Sequence, residues 1–229
     1  HESASDVRVL AAKIADKAGA RLGTLSPGAN SAGLSLAGVL PGDGAHAGAM
    51  LDEDLDAVVL LNIEPDADLL ATEDAVSKLA QQKFVIALTP FVSDALRDAA
   101  DLLLPIGTFA ETSGTYVNVE GTWQSFGGIA NPVGEARPAW KVLRVLGNLV
   151  DAEGFDYVTS EDVRDECRAE IGEVTPQAVS GGKAGKANGS DDPSREIDTP
   201  LYSVDALVRR ATALQLTPAA RHAADEGEG

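Results

Sequence analysis

Three short apolar runs, at residues 57–63, 84–88 and 102–104, constrain this chain more than any other feature. The first reads AVVLLNI, with none of the alternation a half-solvated strand shows, and so predicts a strand covered on both faces. Helical patterns fill the gaps between the runs. Thr72 stands where it can cap one helix, with Glu73 and Asp74 in a first turn whose dipole favours anions; residues 93–100 form a second. Strand, helix, strand, helix, strand with short links predicts a parallel sheet with right-handed crossovers.

The third run opens the stretch 101–126, DLLLPIGTFAETSGTYVNVEGTWQSF. Its apolar residues ending at Pro105 predict a fully buried strand closing on a turn, then a polar, glycine-marked crossing and a hairpin. Thr115, Val117 and Val119 fall on one face of that hairpin, and Tyr116, Asn118 and Glu120 on the other. Gly121, after Glu120, supplies the positive φ of the turn. Pro138 then opens a helix to about Val150. Its polar stripe is narrow (Lys141, Arg144, Asn148), and Trp140, Val142, Leu143, Val145, Leu146 and Leu149 make it a largely buried one.

The flanks are less constrained. Val7, Leu10, Ala11, Ile14, Ala15 and Ala18 recur at helical spacing before Gly19; a short strand is expected at 21–25 and a capping loop at 26–31. The glycines at 28, 33, 38, 42, 44 and 48 fit no phosphate-binding spacing, so residues 28–50 read as loop and helix packing. Thr159 and Asp162 have capping-box spacing for a surface helix to about Gly172, striped only by Val163, Cys167 and Ile171. Residues 175–200 are too small and polar to bury a core and read as a flexible connector. Val204, Leu207, Val208 and Ala211 then predict a helix over 201–216 that docks back, before a frayed tail at 225–229.

With 36 acidic against 18 basic residues and a formal charge of −18, the chain repels nucleic acid and anionic membranes; basic partner surfaces or plain solvation suit that charge. No run approaches the roughly 18 apolar residues of a membrane span. The single cysteine, Cys167, excludes a disulfide framework and a four-cysteine cluster, and its acidic neighbours Asp165, Glu166 and Glu170 argue for an inert thiol. Asp52, Asp54 and Asp56 imitate a calcium loop, but Ala57 and Ile63 replace its glycine and its glutamate, so a solvated acidic turn is expected. His1, His46 and His222 lack zinc spacing. Residues 33–37, GLSLA, only approach a nucleophile elbow, with His46 the one base near it. Glu111 and Glu120 are the carboxylates to inspect, either as proton donor or interface contacts, or as acceptors of turn N–H groups; the turn chemistry of Gly114, Asn118 and Gly121 favours the second role. No catalytic, cofactor-binding or metal-binding residue is assigned.

The stretch AADLLLPIGTFAETSGTYVNVEGTWQSF resembles the ADVVLP…E…GT(Y/F)…N…EG…Q signature of the molybdopterin oxidoreductase superfamily. Through NPVGEARPAWKVLRVLGNLV it resembles more narrowly the large iron–sulfur subunit (the G subunit) of NADH-quinone oxidoreductases, respiratory complex I; NIEPDADL, FDYVTSEDVRDE and LYSVDALVRRATALQLT extend the likeness. The resemblance implies an α/β fold: a Rossmann-like parallel sheet with flanking helices, an antiparallel hairpin and a C-terminal helical extension. It implies a partial molybdopterin-oxidoreductase-like domain at 1–150, a surface helix at 151–174, a linker at 175–200 and a docking helix with tail at 201–229. A chain opening on His1 reads as a piece of a longer polypeptide, or a processed or tagged form. By that likeness, 2Fe–2S and 4Fe–4S clusters belong to an N-terminal region of the parent, with none here. The fragment would then serve as scaffold and docking surface for other peripheral-arm subunits on the cytoplasmic side of a bacterial inner membrane. The alternatives are the C-terminal part of a true molybdopterin-dependent oxidoreductase, whose pterin is held jointly with a β-barrel domain, and a small-molecule-binding α/β domain.

Overall fold

The central layer is a three-stranded parallel sheet whose strand order equals the chain order. The structure, a computed structural model, describes residues 5–23, 28–39, 45–69, 74–173, 201–218 and 220. In chain order the elements are α1 (Ser5–Ala18), α2 (Ser31–Leu36), α3 (Ala47–Leu51), β1 (Val58–Leu61), α4 (Pro65–Asp68), α5 (Ala75–Leu79), β2 (Val85–Thr89), α6 (Asp94–Ala99), β3 (Leu102–Pro105), β4 (Gly114–Val117), β5 (Trp123–Phe126), α7 (Ala139–Leu149), α8 (Ser160–Ile171) and α9 (Thr212–Gln215). The mixed α/β class, the parallel sheet and the separate antiparallel β4–β5 ribbon are those the sequence predicts. Thr72, Glu73, His1, His222, the 175–200 connector and the 225–229 tail lie outside the described residues. Asp74 is the residue before α5 and not within its first turn, in a left-handed conformation at φ 55°.

Register decides which side of the sheet is core. Val58 pairs with Val85, and Leu60 with Ala87, which pairs with Leu103. These side chains share a face, and Leu51 of α3, Ala75 and Leu79 of α5, and Leu96 and Ala99 of α6 close over it. The opposite face carries Val59, Leu61 and Leu102, which stay 50%, 42% and 40% exposed. Strands 57–63 and 102–104 are therefore not covered on both sides as the apolar runs suggest. Only β2 is nearly sealed, with Ile86 partly exposed, because it alone has a strand on each flank; β1 and β3 are edges of the sheet among the described residues. Pro105 fits at the end of such an edge.

Main-chain clamps fix the crossovers. The Asp101 carboxylate accepts the Val85 N–H at 2.8 Å, and its own N–H donates to the Val85 carbonyl at 2.9 Å. The Gln82 amide accepts from Leu55 N–H and donates to the carbonyl of Glu53, holding the link into β1. The acidic turn is not merely solvated: Lys83 bridges Asp54 and Asp56, and Lys78 pairs with Asp52 at 2.7 Å.

Other expectations fail for local reasons. Residues 21–23 have no strand structure. The helix opened by Pro138 and ended at Val150 forms as predicted, but it is not largely buried: within α7 only Gly147 is buried, while Val145 and Leu149 are exposed. Arg144 turns partly inward and donates to the Tyr157 carbonyl at 2.8 Å, while the exposed Asn148 donates to that of Phe155 at 3.4 Å. Residues 201–216 do not form one helix. Leu201–Ser203 and Val208–Arg210 are single 3-10 turns and α9 is one α-turn. Asp205 causes the break, since its carboxylate takes the N–H groups of Leu207 and Val208 that a continuous helix would direct to earlier carbonyls. The capping box at Thr159 and Asp162, the α8 end at Gly172 and the α1 end at Gly19 stand as predicted.

Gly147 has no room for a side chain, because a Cβ there would run into the Phe155 ring. Gly147→Ala is expected to destabilise the chain by about 1–3 kcal/mol through overpacking, read as a lower urea midpoint.

Candidate functional site

Two places gather polar side chains: the carboxyl ends of β1 and β2, and the ribbon that leaves β3. Parallel sheets bind ligands outside the carboxyl ends of their strands, and here that edge is occupied by the chain itself. Glu64, three residues past β1 and 4% exposed, donates its N–H to Asp68 Oδ2 at 2.7 Å. Its carboxylate receives Arg210 twice, Nη1 on Oε1 and Nη2 on Oε2, both at 2.7 Å, and Arg209 Nη1 on Oε1 at 3.0 Å. Arg209 also donates to Asp68 Oδ1 at 2.6 Å and, through Nε and Nη2, to the Ser203 carbonyl. The Arg210 guanidinium lies 4.3 Å from the centre of the Phe91 ring. Thr89, buried at the end of β2, holds Phe91 in place by accepting its N–H and donating to its carbonyl.

Arg210's hydrogen bonds hold the Glu64 carboxyl below its ordinary range, against a burial that would raise it. The Arg210 guanidinium is correspondingly raised by Glu64. The stretches NIEPDADL and LYSVDALVRRATALQLT stand out in the sequence, but nothing local shows that they meet, because the charges lie 145 and 146 residues apart.

In the ribbon, the polar residues of the 101–126 stretch serve the backbone. Glu111 Oε2 accepts the Thr108 N–H at 2.8 Å and its hydroxyl at 2.9 Å, closing a capping box around the turn Phe109–Glu111; the Thr108 N–H is the main reason its carboxyl sits below the ordinary range. The Asn118 side chain accepts from Glu120 N–H at 3.0 Å and Thr122 N–H at 2.9 Å. Glu111 thus takes the turn-acceptor role, whereas in the other turn Asn118 takes it and the exposed Glu120 does not. Gly121 has the expected positive φ, 79°. Gly114 is needed because a Cβ would meet the Phe126 ring at 2.8 Å; that ring also stands edge-on to Tyr116.

Beside the ribbon lies a groove of about 230 Å³ between β4, α2 and α8. Leu34, Val117, Trp123 and Val163 make it mainly apolar, and Trp140, Arg164 and Cys167 also line it. Asn30, in the loop expected to cap a helix, stands at the N-cap position of α2, but its side chain instead accepts the Val117 N–H at 2.9 Å, standing in for a third strand of the ribbon. Ser113 and Ser160 hydroxyls meet at 2.7 Å across the groove wall. The buried Trp140 Nε1 has no hydrogen-bond partner among the described residues. The GLSLA stretch lies in and just after α2 rather than at a strand-to-helix elbow, and His46 accepts the Ala49 N–H as the cap of α3. Cys167 is half-buried. No cluster of three or more His, Cys, Asp or Glu side chains suited to a metal ion occurs among the described residues, and no described helix is long and apolar enough to cross a membrane.

A family profile described as molybdopterin oxidoreductase matches residues 3–149. The mitochondrial 78 kDa subunit of NADH-ubiquinone oxidoreductase from Candida albicans is 31% identical over 112 residues, covering 48% of this chain and 15% of the relative. The alpha subunit of an F420-dependent formate dehydrogenase from Methanocaldococcus jannaschii is also 31% identical, over 116 residues, covering 50% of this chain and 16% of the relative. The G subunit of NADH-quinone oxidoreductase from Shewanella oneidensis is 25% identical over 121 residues, covering 51% of this chain and 13% of the relative. The matched segments thus amount to less than a fifth of each relative's length.

Glu64→Gln at neutral pH is expected to cost about 3 kcal/mol, since it leaves two partly buried guanidiniums short of charge. A carboxyl whose folded pKa is depressed contributes stability above its unfolded value, about 4.3, and loses it as pH falls through the folded value. The urea midpoint should therefore drop below about pH 4, and drop less in the Glu64→Gln variant; equal acid sensitivity would remove Glu64 from the account.

Proposed function

This chain belongs to the molybdopterin oxidoreductase family, and on that premise we propose that it is a structural and docking part of the large iron–sulfur subunit of an NADH-quinone oxidoreductase. Its parent passes electrons from NADH toward quinone through 2Fe–2S and 4Fe–4S clusters held elsewhere in the same polypeptide. This part carries no redox centre of its own. It packs against other peripheral-arm subunits, on the cytoplasmic side of a bacterial inner membrane.

One observation carries the reading. The polar groups that a family cofactor would need are spent inside the fold. A molybdopterin group is anionic and rich in hydrogen-bond acceptors, so it requires free donors and cations near the sheet's carboxyl edge. There Arg209 and Arg210 are committed to Glu64 and Asp68, and beyond β3 the signature residues Thr108, Glu111 and Asn118 close backbone turns. The described residues do not fit the group. The likeness to the 78 kDa and G-type subunits supports the choice of branch.

A second reading has its own support. The formate dehydrogenase alpha subunit is as similar as the 78 kDa subunit, which favours the C-terminal part of a molybdopterin-dependent oxidoreductase as the alternative.

Antibodies raised against this chain separate the two. They are expected to precipitate NADH-dependent quinone reduction from membranes of the source cells, and the purified chain is expected to hold only trace molybdenum and pterin. Precipitation of formate- or nitrate-dependent activity, or stoichiometric molybdenum on the purified chain, would overturn the proposal in favour of the alternative.

A further inference from the structure

We infer that Glu64, Asp68 and Phe91 form a receptor for two successive arginines on a peptide segment, with residues 201–217 as its occupant in cis and a basic segment of another protein able to replace them. The notch is built before the arginines arrive. Glu64 follows β1, Phe91 follows β2, and Asp68 ends the turn α4, so all three are positioned by the sheet and its first crossover. Asp68 splits its two oxygens, one fixing the Glu64 N–H and the other left to receive a guanidinium.

Each arginine is recognised differently. Arg210 is read by planarity: a two-toothed bond to one carboxylate, with the ring of Phe91 against its π-face. Arg209 is read by direction, as it is shared between two carboxylates and folds back on the Ser203 carbonyl of its own segment. A lysine pair could satisfy the charge but neither the two-toothed bond nor the stacking. The selected partner is therefore a peptide with adjacent arginines in a tight turn. A chain of net charge −18 attracts such a segment at long range.

Occupation in cis is exchangeable in kind. Among the described residues, these two side chains bond the segment to Glu64 and Asp68, and its own backbone is organised by internal bonds from Asp205 and Gln215. A segment with its own internal bonds and two anchoring side chains is chemically a ligand.

The test uses the full chain carrying Arg209→Ala and Arg210→Ala together, and a fluorescent peptide of its own residues 201–217. Anisotropy is expected to show saturable binding that weakens with salt. Binding to the unaltered chain should be at least tenfold weaker, since the cis segment competes. A peptide with both arginines replaced by lysine should also lose at least tenfold. Adding Glu64→Gln to the receiving chain should abolish binding. If that variant lowers the melting midpoint, Phe91→Leu tests the same notch, with an expected loss of several-fold. Equal binding to the doubly substituted and unaltered chains, or indifference to both notch substitutions, would overturn the inference. So would undetectable binding to a doubly substituted chain with a native circular dichroism spectrum.

Discussion

Asp101 grips Val85 from both sides of the peptide group, accepting its N–H and donating to its carbonyl. That pair of bonds stands at the entrance of β2 and one residue before β3, so it sets where the two strands begin relative to each other. With that register fixed, Ile86 faces Leu102 and Leu88 faces Leu104, and the alternate residues Val85, Ala87 and Leu103 are directed to the helices. A slip of one residue would turn every one of these side chains to the other face. The core under α3, α5 and α6 therefore depends on an acidic side chain that touches no helix residue in these bonds, and the ribbon beyond β3 inherits its starting point from the same place.

The same economy runs through the rest of the 101–126 stretch. A ribbon leaving a sheet must find partners for main-chain groups that no strand supplies. Glu111 serves the turn at Thr108, Asn118 serves the hairpin end, and Asn30 reaches from α2 to serve Val117 on the outer edge of β4. Gly114 and Gly121 are dictated by contact and by φ. Beyond β3, the chain also continues its edge through Gly107 N–H to the Arg137 carbonyl, which brings the start of α7 beside the sheet. A residue pattern that looks like a binding signature thus acts largely as a set of instructions for changing direction.

How much of this the sequence disclosed depends on the range of the interaction. The three strands, the hairpin turn at Gly121, the capping box of α8 and the end of α1 were legible because each is decided within a few residues. Coverage of β1 and β3 was not, because an apolar run states what a strand tolerates, whereas its exposure depends on its position in the sheet. The 201–216 helix failed on one residue: Val204, Leu207, Val208 and Ala211 keep helical spacing, but Asp205 diverts two N–H groups to its side chain. The Glu64–Arg209–Arg210 cluster and the Asn30–Val117 bond join parts of the chain 145, 146 and 87 residues apart, and no local pattern encodes such a meeting.

A centre strand almost closed off between two half-open neighbours also orders events in time. Val85, Ala87 and Leu88 are 0% exposed, while Val59, Leu61 and Leu102 already touch solvent. Thermal opening begins where little new apolar surface must be wetted, so β1 and β3 breathe first and β2 last. The amide protons of β1 and β3 that reach into β2 exchange with water through that outer fraying. Glu64, fastened just beyond β1, places the arginine clasp on one of the two strands that would otherwise part earliest.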